Sequence, residues 1–148
     1  MAKLKVGIIG ATGTVGQRMI QLLERHPWFA VSAVAASDNS AGKNYAQAAR
    51  WMLETPIPES VAKMTVQACQ PGLDCDFVLS GLPSSVAEEP ELQLAKAGMP
   101  VLSMVVGPVT PCGVLDYKFR VLSHNTIRGA AGAAILDAEL MYRKGLIG

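Results

Sequence analysis

The chain has 148 residues, half of them hydrophobic, 17% charged, and a formal net charge of +1. That is the length of one domain with enough apolar material for a core, and the absence of a basic run excludes a nucleic-acid binder held by phosphate charge. No apolar run reaches about 18 residues free of charge, Gly or Pro, so no membrane span is expected, and Met1 leads straight into a strand with no signal peptide, which points to a soluble, cytoplasmic chain.

An apolar strand over 4–9 runs into a turn with glycines at Gly10, Gly13 and Gly16. A helical pattern over 14–25 follows at once, with Val15, Met19, Leu22 and Leu23 on one face and Pro27 closing it. Strand, glycine turn and helix in that order are the context of a dinucleotide-binding motif, here spaced G-x-x-G-x-x-G. Gly10 can take a turn conformation closed to other residues. Gly13 lets the backbone approach a pyrophosphate, and Gly16 lets helix and strand pack closely. The phosphates would sit on free N–H groups at the helix start, where the dipole favours negative charge. A tight turn that binds nothing is the competing reading.

A second strand is predicted over 30–36, then a polar loop over 37–43 containing Gly42. A short helix is placed over 46–52, and two prolines make 55–60 a loop. An edge strand follows over 64–68 and a strong strand over 76–80. After the turn at 81–85, Ser85 and Glu88 read as a capping box. The next helix has Pro90 in or just after its first turn, runs to residue 97, and stops at Gly98. A strand over 100–106, a proline-broken loop over 107–113 and a strand over 117–122 come next. A last helix over 126–144 ends at Gly145, and its small residues at 129–134 suit close packing.

Alternating strands and helices predict an α/β fold: a doubly wound, mostly parallel sheet, Rossmann-like and dinucleotide-binding, in a single domain over 1–148. Ligands of such sheets lie beyond the strand C-termini. The loops at 10–16, 37–43, 80–85 and 123–129 should converge there. An NAD site usually has an acid about 20 residues past the glycine turn. Here that region reads Ser37-Asp-Asn-Ser40-Ala-Gly-Lys43. Two hydroxyls, a glycine and a lysine suit the 2′-phosphate of NADP. Asp38 is the competing feature, able to serve the ribose of NAD. Cys69, Cys75 and Cys112 form no C-x-x-C pair and read as free, buried or part-buried thiols, with no metal site.

Four segments together resemble aspartate-semialdehyde dehydrogenase of the archaeal and fungal type. They are Gly10-Ala-Thr-Gly-Thr-Val-Gly16, Ala36-Ser-Asp-Asn-Ser-Ala-Gly-Lys43, Ser80-Gly-Leu-Pro-Ser-Ser85 and His124-Asn-Thr-Ile-Arg-Gly-Ala-Ala-Gly132. That family reduces aspartyl phosphate to aspartate semialdehyde with NADPH in amino-acid biosynthesis. The resemblance implies phosphate contacts at Gly10, Thr12, Gly13, Thr14 and Val15. It implies 2′-phosphate contacts at Ser37, Ser40 and Lys43. Gly81 in the third segment, Leu82, Ser84 and Asn125 would lie along the adenosine and nicotinamide side.

Members of the family are more than twice as long, with a catalytic domain set between the two parts of the nucleotide domain. Here residues 1–98 resemble the N-terminal part and about 104–148 the C-terminal part. The domain bearing the Asn-Cys nucleophile, the histidine acid/base and the substrate arginines is missing between them. Cys112 has no Asn before it, so no catalytic residue is assigned. His26 reads as a surface or C-terminal cap residue. His124 would orient the fourth loop or the nicotinamide, and Arg128 either pairs locally or approaches the substrate side. The expectation is an NADP-binding domain without dehydrogenase activity. The alternatives are an engineered or truncated structural remnant that binds cofactor weakly or not at all and self-associates through surface the missing domain covered, at strand 100–106 and the loop near 108–113, and a chain with residual or complementing activity.

Overall fold

The computed structural model describes residues 2–103, 106–111, 117–121 and 130–147. Strands β1 (Leu4–Ile9), β2 (Phe29–Ala36), β3 (Gln67–Ala68), β4 (Phe77–Ser80) and β5 (Val101–Ser103) form one sheet in the order β3-β2-β1-β4-β5. Every pairing in it is parallel. Both faces are buried, as a parallel sheet requires. Along the strands the side chains alternate between two clusters. Val6, Ile8, Val34, Ala36, Phe77 and Leu79 face one way with Met19, Ile20, Ala134 and Ala138; Ile9, Ala33, Ala35 and Val78 face the other with Leu94.

Helix α1 (Thr14–Leu23) covers the first face together with α5 (Ala130–Arg143), and α4 (Ser84–Lys96) contributes Leu94 to the second. The buried face of α1 holds Gly16, Gln17, Met19, Ile20 and Leu23. It is therefore turned from the expected stripe: Val15 and Leu22 are only partly buried, and a fully buried glutamine, Gln17, flanks Gly16 and Ile20 on the other side. On α5, Ala131, Ala134, Ile135 and Ala138 are buried at helical spacing, so Ala131 and Ala134 of the small-residue run serve close packing, while Gly129 lies outside the described residues. Both predicted glycine stops form Schellman ends. At Gly98, φ is +83° and Met99 N–H donates to the Leu94 carbonyl at 3.1 Å. At Gly145, φ is +67° and Leu146 N–H donates to the Met141 carbonyl at 2.9 Å.

Several expectations are corrected. The helix placed over 46–52 is only α2 (Tyr45–Ala48), and a further turn, α3 (Glu59–Ala62), begins inside the segment read as loop. The helix does not start where the capping box placed it: Pro83 stands at the N-cap with φ −59° and makes no side-chain cap hydrogen bond, and Ser84 is already the first helical residue. Pro90 is thus interior to α4. The carbonyl it leaves without a helical partner belongs to Val86, which is exposed and open to solvent. The strand read over 100–106 divides between β5 and β6 (Val106–Pro111), and β6 pairs antiparallel with β7 (Tyr117–Val121) in a separate two-stranded sheet. Its register shifts between Gly107 and Thr110, so Pro108 falls in an irregularity where the missing ladder donor costs little.

Candidate nucleotide site

Ile9 pairs with Ala35 on one side and with Ser80 on the other, so β1, β2 and β4 end level with one another. The chain leaves β1 for β2 and β3 and then returns to lay β4 on the opposite flank of β1. This reversal is the switch point where open α/β sheets bind ligands. Three of the four expected loops start from that edge. The fourth, with Asn125, His124 and Arg128, lies outside the described residues, as does Cys112.

Two of the three motif glycines are required by the fold. Gly10 has φ +72°, and a Cβ there would stand 2.8 Å from the Gly81 backbone. A Cβ on Gly16 would stand 2.4 Å from the Gly10 carbonyl oxygen. Gly81 closes the arrangement, because its own Cβ would lie 2.9 Å from the Gly16 nitrogen. The close packing of Gly16 is thus against its own turn and the β4 loop. Gly13 differs: with φ −79°, its Cβ would meet only the Gly10 oxygen, at 3.4 Å. Nothing in the packing of the described residues demands glycine there, and the approach of a ligand supplies a physical reason for one.

The turn closes through Gly13 N–H to the Gly10 carbonyl at 3.0 Å, and α1 begins with Gln17 N–H to the Gly13 carbonyl at 2.9 Å. Gly13 is the N-cap, offers no side chain, and the first turn of α1 carries no acid. Among the described residues the N–H groups of Thr12, Thr14 and Val15 find no acceptor. A helix start with open donors and no carboxylate is suited to an anion.

Beyond β2, Ser37 accepts from the N–H groups of Ser40 (2.8 Å) and Ala41 (3.1 Å), making a tight loop with Gly42 at φ +81°. Ser37 and Lys43 are exposed and Ser40 half-buried. The Lys43 ammonium folds back on the Asn39 carbonyl at 2.7 Å. Among the described residues it has no carboxylate partner, Asp38 included. Leu82 follows β4 with its N–H on Ser80 Oγ at 3.4 Å, and Ser84 begins α4 at the same edge.

Sequence reading missed two side chains behind the turn. Tyr45 Oη donates to the Ala11 carbonyl at 2.8 Å. Gln17 Nε2 donates to the Thr12 and Arg50 carbonyls at 2.8 and 2.9 Å, and its Oε1 accepts Met52 N–H at 2.9 Å. Gln17 also explains the short α2: its side chain supplies the partners that helical backbone at 50–52 would have needed. The signal for it was a polar residue between Gly16 and Met19 on an otherwise apolar face. Cys69 and Cys75 are free and half-buried, as expected. Burial is the main cause that pushes both thiols up, Cys75 to about 11.

Fold and site define a dinucleotide-binding domain of the Rossmann class. Residues 5–105 match the family described as semialdehyde dehydrogenase, NAD binding domain, and the chain belongs to that family. It is 47% identical over 105 residues to the aspartate-semialdehyde dehydrogenase of Cryptococcus neoformans, covering 68% of this chain and 29% of that one. Against the enzyme of Methanothermobacter thermautotrophicus the identity is 45%, over 63% of this chain and 27% of the relative. The crystal structure of the Candida albicans enzyme with NADP superposes with a TM-score of 0.67 at 44% identity, over 70% of this chain and 30% of that one. The chain therefore spans less than a third of the length of these relatives. No helix among the described residues is long and apolar enough to cross a membrane.

Proposed function

We propose that the chain binds NADP across the β1–β4 switch point and does not by itself reduce aspartyl phosphate. The observation that carries the binding is the uncapped start of α1 behind Gly13, with open N–H groups at Thr12, Thr14 and Val15. NADP is favoured over NAD by Ser37, Ser40 and Lys43. The lysine rests on a neutral carbonyl, so a 2′-phosphate can take the ammonium by displacing one neutral hydrogen bond. The likeness to a Candida albicans enzyme solved with NADP supports the same choice. Leu82, Ser84 and Asn125 are assigned to the adenosine and nicotinamide side.

The absence of activity follows from chemistry. The cofactor supplies hydride, but the family's reaction also needs a thiol nucleophile, and no cysteine of this sequence follows an asparagine. Residues 104–148 are read as the family's C-terminal segment. In support, α5 packs as an integral part of the core: Glu139 meets His26 at 2.8 Å, and Tyr142 lies 5.6 Å from Trp28. Calorimetric titration with NADP and NAD tests the binding, and NADP should bind well ahead. Equal binding of the two would remove the role given to Ser37, Ser40 and Lys43, and turnover of aspartate semialdehyde by the pure chain would refute its inactivity.

A second reading, self-association, is favoured by a specific surface. Leu136 and Leu140, one turn apart on α5, and Leu146 just beyond it are 59%, 52% and 66% exposed. Such a stripe suits a second copy of the chain. Light scattering should give a dimer or larger species, and a monomer at high concentration would exclude it.

A further inference from the structure

The dinucleotide turn does not hold its shape alone. The Ala11 carbonyl is taken by Tyr45 and the Thr12 carbonyl by Gln17, both through side chains that are fully buried. A trans peptide sets a carbonyl and the following N–H on opposite sides of the bond, and the described residues contain no cis peptide. With the Ala11 carbonyl drawn inward to Tyr45, the Thr12 N–H must face outward, where it has no acceptor among the described residues.

Tyr45 is itself firmly based. Its N–H donates to the Met64 carbonyl at 2.8 Å, and Asn44 forms an antiparallel bridge with Thr65. Just before it, Gly42 N–H reaches the Val66 carbonyl and Val66 N–H the Lys43 carbonyl, each at 2.8 Å. The segment that carries Lys43 is thus continuous with the residue that orients the turn. Burial pushes the Tyr45 phenol well above its ordinary value, which keeps the donated proton on Oη.

We propose that Tyr45 and Gln17 are positioning residues for nucleotide binding: they hold the Ala11 and Thr12 carbonyls inward, present the Thr12 N–H to a pyrophosphate, and through Tyr45 join that turn to the loop bearing Lys43. This rests on the dinucleotide reading above. Tyr45→Phe keeps the buried ring and removes only the hydroxyl. Wild type and variant are titrated with NADP and with 2′-AMP, which has the adenosine and 2′-phosphate but no pyrophosphate. The variant should lose about tenfold in NADP affinity, the worth of one well-placed hydrogen bond, and stay within about twofold for 2′-AMP. Gln17→Met, which removes all three hydrogen bonds at similar volume, should give the same ligand pattern with a lower melting temperature.

Equal losses for both ligands, or none for either, overturn the proposal. A wild-type chain that binds neither ligand overturns the dinucleotide reading and this one with it. A wild type that binds NADP beside a Tyr45→Phe chain that binds it equally well overturns this one alone. Should the variants not fold, hydrogen exchange on the wild type decides. NADP should slow the Thr12 amide at least tenfold and 2′-AMP should not, and equal protection by both overturns it.

Discussion

Gly13 and Gly16 stand three residues apart in one motif, yet they answer to different constraints, and alanine at each separates them. At Gly16 the new Cβ would lie 2.4 Å from the Gly10 oxygen and 2.7 Å from the Ala11 Cα, against backbone on both sides. Ordinary contact is about 3.5 Å, so the turn must give by about 1 Å. Overpacking of that kind costs about 1–3 kcal/mol or more, and alanine's better helix propensity returns about 1 kcal/mol. Contact with backbone on both sides puts the cost at the upper end, about 3 kcal/mol, and the net loss of about 2 kcal/mol should lower the melting temperature by about 4–8 °C. At Gly13 the Cβ meets only one atom of the described residues, at 3.4 Å, and the φ of −79° suits alanine. Stability there should fall by no more than about 1 kcal/mol, because alanine is a poorer N-cap than glycine but meets no clash. The methyl would nevertheless project where a pyrophosphate must approach, so NADP affinity should fall at least tenfold, or about 1.4 kcal/mol. Thermal melts and calorimetry on both variants read the two axes separately. Gly13→Ala that binds NADP like wild type would falsify the placement of the phosphates, and Gly16→Ala with an unchanged melt would refute the packing argument.

Replacing Lys43 by Ala should weaken NADP about tenfold, the worth of one charge-assisted contact, and leave NAD unchanged, as competitive titration will show. His26→Ala should lower the melting temperature by about 4–8 °C. The ring stacks on Phe29 at 4.6 Å, its Nδ1 accepts the Trp28 and Phe29 N–H groups at 3.3 Å, and its Nε2 meets Glu139. Truncation strands a buried donor at a cost of about 1–3 kcal/mol, while nucleotide binding should be untouched. The Cys75 thiol, raised from 9.0 to about 11 by burial, keeps its proton longer in the folded chain than in the unfolded one. Its contribution to stability is therefore full below pH 9.0 and lost as pH rises toward about 11. Urea midpoints of wild type and Cys75→Ala should diverge across that window, and parallel curves would refute the assignment.

The features legible in the sequence were those written in neighbouring residues. The run from Val6 to Gly16 contains a strand, its turn and a helix start within one short stretch, and glycine's conformational freedom is a property of the residue itself. The stops at Gly98 and Gly145 are local for the same reason. The Ser37–Lys43 segment was legible as a loop because its polar residues and Gly42, which takes φ +81°, lie close together. His26 shows the limit. As a sequence neighbour of Pro27 it reads as a surface or cap residue, but the fold buries it against Glu139, 113 positions away.

Separation in sequence also hid Tyr45 and Gln17, whose bonds to Ala11 and Arg50 span 34 and 33 positions. Neither belongs to a glycine motif, and each gains its role only when parallel pairing brings the 44–52 segment behind the β1 turn. The exposed leucines of α5 escaped notice too, because an apolar helix says nothing of which side lies on the core. Backbone conformation is set largely by a residue and its immediate neighbours, so the glycine turn was determined in the sequence alone. What orients the turn depends on hydrogen bonds between remote segments, and these exist only once the sheet has fixed which chain ends lie side by side.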